Sequence, residues 1–513
     1  MRRGRRRLVL AAATLVAAVV LVVILLSSGP RHPAPPHRAV TKRPASTGRA
    51  PVVTVNPGVE GSTIAAGYLG LSIEYWAIEA YGGRNPRTVD PILPRLIANL
   101  TPGQAAVLRI GGVSTDQTWW PVAGLRRPPG TFYKLNRRRL EVMKRVADLA
   151  NARLILGITF EADSQAFAGA EARAMVATIG RSRIDAFELG NEPELYGNPA
   201  FSWYTRHGRG VMGRGIDYGP SQFARDFANI GSAIPQVPLA GPASGAGNWL
   251  ADLGPFLTSV PHVGIVTVHR YPFEACAVTP SSPSYPTVSR LLSPLGTVDQ
   301  ATDLTPYVAE AHAHGVPLRI GEMNTVGCGN PPIVPNSFAE ALWAIDALFA
   351  YARAGVDGVN VHTWPGAVYN LFTFQKTSAG WQTSVQPEYY GLLMFSQAAP
   401  AGSRLVKVGS SNPTVRAWAT RAPNGTIRVT LINDSTTSSE NATVAVSGVR
   451  GAGSLTRLLA PSPAATTGVT LAGESFDQTG ELAGSPVDTT VEPDGGSYPV
   501  ELQPASAALL TLR

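Results

Sequence analysis

Acidic side chains are missing from the first 50 positions, which hold ten lysines or arginines. The rest of the chain carries 33 basic against 35 acidic groups, a net −2, so the formal charge of +8 belongs to the N-terminus. That distribution gives the body no bias towards binding a polyanion, and no nucleic-acid partner is expected. Cysteine is nearly absent as well, Cys276 and Cys328 being the only two. Their spacing fits no zinc motif, and no metal or cofactor is expected. Charged residues make up only 15% of the 513 while 44% are hydrophobic, which excludes a disordered chain and allows more than one domain.

One long apolar run is present. Residues 8–26 contain only Thr14 as a weakly polar break, follow "MRRGRRR", and lead into a Pro-rich polar stretch that ends near residue 50. A secretory apolar core spans roughly 7 to 15 residues and ends in a small-residue cleavage site. This run is longer and lacks a clean A-x-A site. Residues 1–26 are therefore expected to form a signal anchor with the arginines inside, and residues 27–50 a linker. A long cleaved signal peptide is the alternative. Either way the body is exported, to the cell surface or the medium, and touches the membrane through its N-terminal segment only. The two cysteines then lie in a disulfide-permissive compartment.

Between residues 68 and 364 eight strand-like apolar segments recur: "YLGLSIEYW", "AAVLRIGG", "ARLILGITFEAD", "IDAFELGNE", "VPLAGPAS", "VGIVTVHRYP", "PLRIGEMNT" and "DGVNVHTW". Helical patterns such as "NRRRLEVMKRVADLANA" lie between them. Near-continuous apolar strands alternating with helices predict a parallel sheet closed into a (β/α)8 barrel over residues 67–399, with an active site at the strands' C-terminal ends. From residue 400 the texture changes to short β-rich runs between Gly, Pro, Asn and Ser, which predicts a β-sandwich over residues 400–513. Residues 51–66 are strand-like and are expected to join that sandwich.

The segment "IDAFELGNEPE" places three glutamates at and beyond the fourth strand. Glu188 falls within the strand and Glu192 at the rim, while Glu194 is expected on the loop surface. Pro193 should push Glu192 from helical geometry towards an extended one. A second acid, Glu322, follows the seventh strand through Gly321. A retaining glycosidase needs two carboxyl groups about 5 to 5.5 Å apart, one to attack the anomeric carbon and one to protonate the leaving oxygen. Two strand-end glutamates on different sides of a barrel mouth meet that need.

"FELGNEPELY" and "RIGEMNTVGCGN" resemble the acid/base and nucleophile segments of retaining glycosidases of the large barrel clan, most closely glycoside hydrolase family 79, the β-glucuronidases and heparanase-like enzymes. "LRIGGVSTD", "VHRYP", "GAVYNL" and "PEYYGLLMF" fall in the matching order. The resemblance implies Glu192 as acid/base, Glu322 as nucleophile and Asn191 as a partner of the sugar 2-hydroxyl. It implies Tyr369 and the Cys328 and Gly329 amides as donors to a uronic carboxylate, and Glu74 as a partner of sugar hydroxyls. Two departures stand out: Val113 replaces a hydroxyl residue of the heparanase-like enzymes, and Cys328 replaces a glycine.

Tyr271 is the candidate for holding the nucleophile by a hydrogen bond. His269 and His362 also end strands and are candidates for sugar contacts, although satisfied rim residues would look the same. Loop packing is the plainer reading of Tyr369, and an arginine partner that of Glu74. Cys276 and Cys328 follow adjacent strands, six and seven, and are expected to form a disulfide. The function expected is retaining removal of β-linked glucuronic acid from an oligo- or polysaccharide, in exo mode, on a plant or microbial glucuronide. The alternatives are a β-xylosidase or arabinofuranosidase of the same clan and a non-catalytic carbohydrate-binding protein.

Overall fold

The computed structural model describes residues 52–197, 203, 210–332 and 334–513. The expected signal anchor and linker lie outside these residues. Among those described, no helix is long and apolar enough to cross a membrane.

Eight parallel strands close into a barrel in sequence order. They are β1 (Leu69–Glu74), β2 (Ala106–Gly111), β3 (Ala152–Ile158), β4 (Ile184–Leu189), β5 (Leu239–Ser244), β6 (Val263–Arg270), β7 (Leu318–Met323) and β8 (Gly358–Thr363). β8 pairs with β1, Val359 opposite Leu69 and Thr363 opposite Ile73, and this closes the ring. Alternation sorts each strand's side chains between two environments. In β2, Leu108 and Ile110 belong to the main hydrophobic core, while Arg109 between them bonds to Ser72 of β1 and Glu188 of β4. The barrel interior thus has a polar layer near the strands' C-terminal ends, above a small apolar cluster of Ile155, Ala186 and Ala240.

Two helices, Phe338–Arg353 and Pro387–Ala398, are buried almost throughout. They are covered by a ten-stranded β-domain. Trp418 of that domain stacks on Phe349, centroids 5.5 Å apart, and its Nε1 donates to Asp346 Oδ1 at 2.7 Å. The segment Val52–Thr63 is the first strand of the β-domain, antiparallel to Arg404–Ser410 and parallel to Glu440–Val446. One face of this sheet closes around Val53, Val429, Leu431, Val444 and Leu510, and the other gives Ile432, Leu458 and Leu509 to the barrel-side core.

Candidate active site

Glu322 is the fifth residue of β7 and not a residue beyond it. The pairing of β7 shifts register between Ile320 and Glu322 against β6, and between Ile320 and Met323 against β8. An irregularity of this kind re-aims the side chain that follows it, and here it turns Glu322 into the mouth. Glu192 departs from expectation too: its backbone is left-handed, with φ 48° and ψ 61°, instead of extended. Proline bars the right-handed helix at the preceding position, and two hydrogen bonds favour the left-handed alternative. The Glu192 N–H donates to Ala243 O at 3.0 Å, and Leu195 N–H donates to Glu192 O at 2.9 Å. Glu194 is not on the loop surface. It is largely buried, and its Oε1 accepts from Gly245 N–H at 2.8 Å. Burial first, and the charge of Glu192 second, push its pKa up to about 7.

The turn and the strand end bring the two acids together. One oxygen of Glu192, one of Glu322 and a ring nitrogen of His269 all lie within 4.8 Å of one another. Glu322 is held from three sides. Arg109 Nη1 donates to its Oε2 at 2.6 Å, Tyr271 O–H donates to its Oε1 at 2.7 Å, and His362 Nδ1 stands 3.8 Å from Oε2. Arg109 is wholly buried and reaches further. Its Nε donates to Glu188 Oε2 at 2.6 Å, Nη1 to Ser72 Oγ at 3.0 Å and Nη2 to Asn191 Oδ1 at 2.9 Å. Because the guanidinium occupies Asn191 Oδ1, the amide NH2 of Asn191 is the group left to donate to a sugar hydroxyl.

Charge follows from these contacts. Burial works against a cation at Arg109, yet Glu188 and Glu322 outweigh it and hold the guanidinium protonated more firmly than usual. Burial would likewise raise Glu322, but His362, His269, Arg109 and the Tyr271 hydroxyl overcome it and keep the carboxylate ionised well below the usual range. Tyr271 is lifted well above an ordinary tyrosine by burial and by the negative Glu322, so it remains a neutral donor. His269 links the two acids. Its Nε2 is 3.3 Å from Arg109 Nη2, which can only donate, and its Nδ1 is 3.0 Å from Glu192 Oε1. The ring proton therefore sits on Nδ1, facing Glu192. Burial lowers the pKa of His269, but the charge of Glu322 and the bond to Glu192 leave it raised overall.

Tyr369, Glu74 and His362 line the same mouth. The Tyr369 and Tyr271 hydroxyl oxygens are 3.5 Å apart, with ring centroids 5.9 Å apart. Glu74 ends β1 and accepts the Ser114 N–H at 2.9 Å, and His362 Nε2 lies 3.7 Å from its other oxygen. Among the described residues its partners are thus a serine and a histidine, with no arginine. His362 Nδ1 meets Ser72 Oγ at 3.0 Å. Cys276 and Cys328 form a disulfide, Cα atoms 5.5 Å apart, that ties the loop after β6 to the loop after β7. Two backbone bonds run beside it, Ala275 N–H to Cys328 O and Gly327 N–H to Phe273 O, each 2.8 Å. Gly329 has φ +85° and packs so closely on Ala275 that an added Cβ would come within 2.7 Å of its carbonyl carbon.

Arg109 and Ser72 were not singled out from the sequence, and Glu188 was placed within its strand but given no role. The available signal was an arginine and a glutamate each inside an otherwise apolar strand, a pattern that requires the two charges to find each other.

Residues 417–509 match the family model of the glycosyl hydrolase family 79 C-terminal beta domain. A β-glucuronidase of Aspergillus niger is 26% identical over 372 residues, covering 64% of this chain and 67% of the relative. The C-terminal domain and this relative together make the chain similar to glycoside hydrolase family 79. Among solved structures, a 4-O-α-L-rhamnosyl-β-D-glucuronidase from Fusarium oxysporum superposes with a TM-score of 0.66 at 19% identity, over 90% of this chain and all of the other. A family 51 arabinofuranosidase from Xanthomonas axonopodis pv. citri gives 0.65 at 15%, with the same coverage. At these identities the two superpositions establish the shared barrel and β-domain only.

Proposed function

We propose that this family 79-like hydrolase removes β-linked glucuronic acid from a glycan with retention of configuration. The observation that carries this reading is the Glu192–Glu322 pair, with oxygens within 4.8 Å across the barrel mouth. That spacing leaves room for a sugar carbon between them but not for an additional water, as a double displacement requires.

In the first step a Glu322 oxygen bonds to the anomeric carbon as its bond to the leaving oxygen breaks, and Glu192 gives that oxygen its proton. In the second step Glu192 takes a proton from water, the water oxygen bonds to the anomeric carbon, and the bond to Glu322 breaks. Arg109 and Tyr271 keep Glu322 anionic and aimed. The Asn191 amide donates towards the 2-hydroxyl, a contact that strengthens as charge develops.

Tyr369, beside Tyr271, and the Cys328 and Gly329 amides supply neutral donors for the uronic carboxylate. Neutral donors suit a site whose nucleophile is itself negative, since they bind a second anion without neutralising the first. The test is hydrolysis of 4-nitrophenyl β-D-glucuronide beside the matching β-glucoside and β-xyloside. Preference for the glucuronide supports the reading, and preference for the xyloside would assign a different sugar.

A further inference from the structure

The loop after β2 contains a carboxylate that the chemistry above does not use. Asp116 is buried, 1% exposed. Its Oδ1 accepts the N–H groups of Phe160, at 2.7 Å, and Glu161, at 2.8 Å. Its Oδ2 accepts the Tyr196 O–H at 2.7 Å and the Asn191 N–H at 3.1 Å. The same Asn191 N–H also reaches the Tyr196 oxygen at 3.0 Å. Its main-chain carbonyl accepts Trp203 Nε1 at 2.8 Å. Four donors converge on one carboxyl group, so the loops after β2, β3 and β4 meet on a single side chain.

Asn191 immediately precedes Glu192, whose left-handed backbone is fixed on its own side by the bond to Ala243 O. We propose that Asp116, with Tyr196, is the positioning residue of the acid/base turn: it pins the Asn191 amide and thereby aims the Glu192 carboxyl at the leaving oxygen. The proposal rests on the reading of Glu192 as acid/base. Asp116 touches neither substrate nor reacting atoms and acts only through the Asn191 backbone.

An asparagine at this position isolates that effect. Its one oxygen can serve the Phe160 and Glu161 amides, and its NH2 then faces the Asn191 N–H, donor against donor. The disturbance falls on the Asn191 main chain, next to Glu192, while Arg109 meets Asn191 through its side-chain Oδ1 and Glu322 is held by Arg109 and Tyr271. In the full chain, Asp116→Asn, Tyr196→Phe and Glu192→Ala are assayed beside wild type on aryl β-glucuronides of graded leaving-group pKa. General-acid assistance is worth about 10²–10⁴-fold. Loss of aim should therefore cost Asp116→Asn roughly tenfold or more in kcat/KM on phenyl glucuronide and little on the dinitrophenyl compound. Tyr196→Phe should show a smaller steepening in the same direction.

An equal loss across the series, or none, overturns the proposal, because a smaller folded fraction scales every substrate alike. If Asp116→Asn does not fold, Tyr196→Phe alone decides. A Glu192→Ala series without leaving-group dependence overturns the acid/base reading itself. A steep Glu192→Ala series beside a flat Asp116→Asn series overturns only the positioning role.

Discussion

Arg109 Nη1 and Glu322 Oε2 are 2.6 Å apart where the arginine side chain is wholly buried and the glutamate 9% exposed, and the same guanidinium holds Glu188 at 2.6 Å. One planar fork thus orients Glu322, the proposed nucleophile, and compensates a second buried acid. A lysine carries one ammonium and cannot reproduce two directed contacts.

Arg109→Lys is accordingly expected to lose at least one charge-assisted hydrogen bond, worth about 1.5–3 kcal/mol, or roughly 10- to 200-fold in kcat/KM. The melting temperature should fall as well, because Glu188 is left without its partner. Steady-state kinetics and a thermal melt check both effects; a variant within twofold of wild type would remove Arg109 from the site's support.

Loss of the acid separates the two steps. Glu192→Ala should slow substrates with poor leaving groups far more than activated aryl glucuronides, and azide should restore turnover by replacing water in the second step. Chromatography with NMR should identify a β-glucuronyl azide. The α-azide would mean inversion and contradict the double displacement.

Recognition of the uronic carboxylate is tested at Tyr369. Tyr369→Phe should cost glucuronide turnover about 1.5–3 kcal/mol, the value of a hydrogen bond to a charged group, while leaving the low activity on a β-glucoside unchanged. An equal loss on both sugars would assign Tyr369 to packing.

A pH-dependent stability follows from Glu171, which is fully buried on the helix Gln165–Ile179. Its Oε2 accepts the Thr159 N–H at 3.3 Å, and burial is the main cause of a pKa raised from 4.5 to about 8. The folded protein keeps this proton where the unfolded chain has lost it. The contribution to stability is therefore complete below about pH 4.5 and is lost as pH rises to about 8. Glu171→Gln, which mimics the protonated acid, should flatten the fall in melting temperature between these limits. An unchanged slope would mean that Glu171 is ionised in the fold.

The barrel was legible because all eight strands are near-continuous apolar runs, a pattern that burial on both sides imposes. Glu192, Glu322 and the cysteines were legible because they stand at or just past strand ends, where sequence order becomes spatial neighbourhood. The conformation of Glu192 was not, because proline at the next position excludes one backbone region without choosing between the others, and the choice was made by Ala243 from β5. Glu194 was misjudged for a similar reason: its cover comes from Gly245, fifty-one residues on. Arg109 was passed over because its partners, Ser72, Glu188, Asn191 and Glu322, come from three other segments of the barrel.

The central claim is that Glu322 forms a covalent bond to the sugar. Incubation with 2-deoxy-2-fluoro-β-D-glucuronyl fluoride, followed by peptide mass spectrometry, tests it directly, since the fluorine slows release of a glycosyl-enzyme intermediate. The account predicts time-dependent inactivation with one fluoroglucuronyl group on the peptide containing Glu322 and none on that containing Glu192. A label on any other residue, or turnover of glucuronides by a Glu322→Gln variant at the wild-type rate, would contradict it.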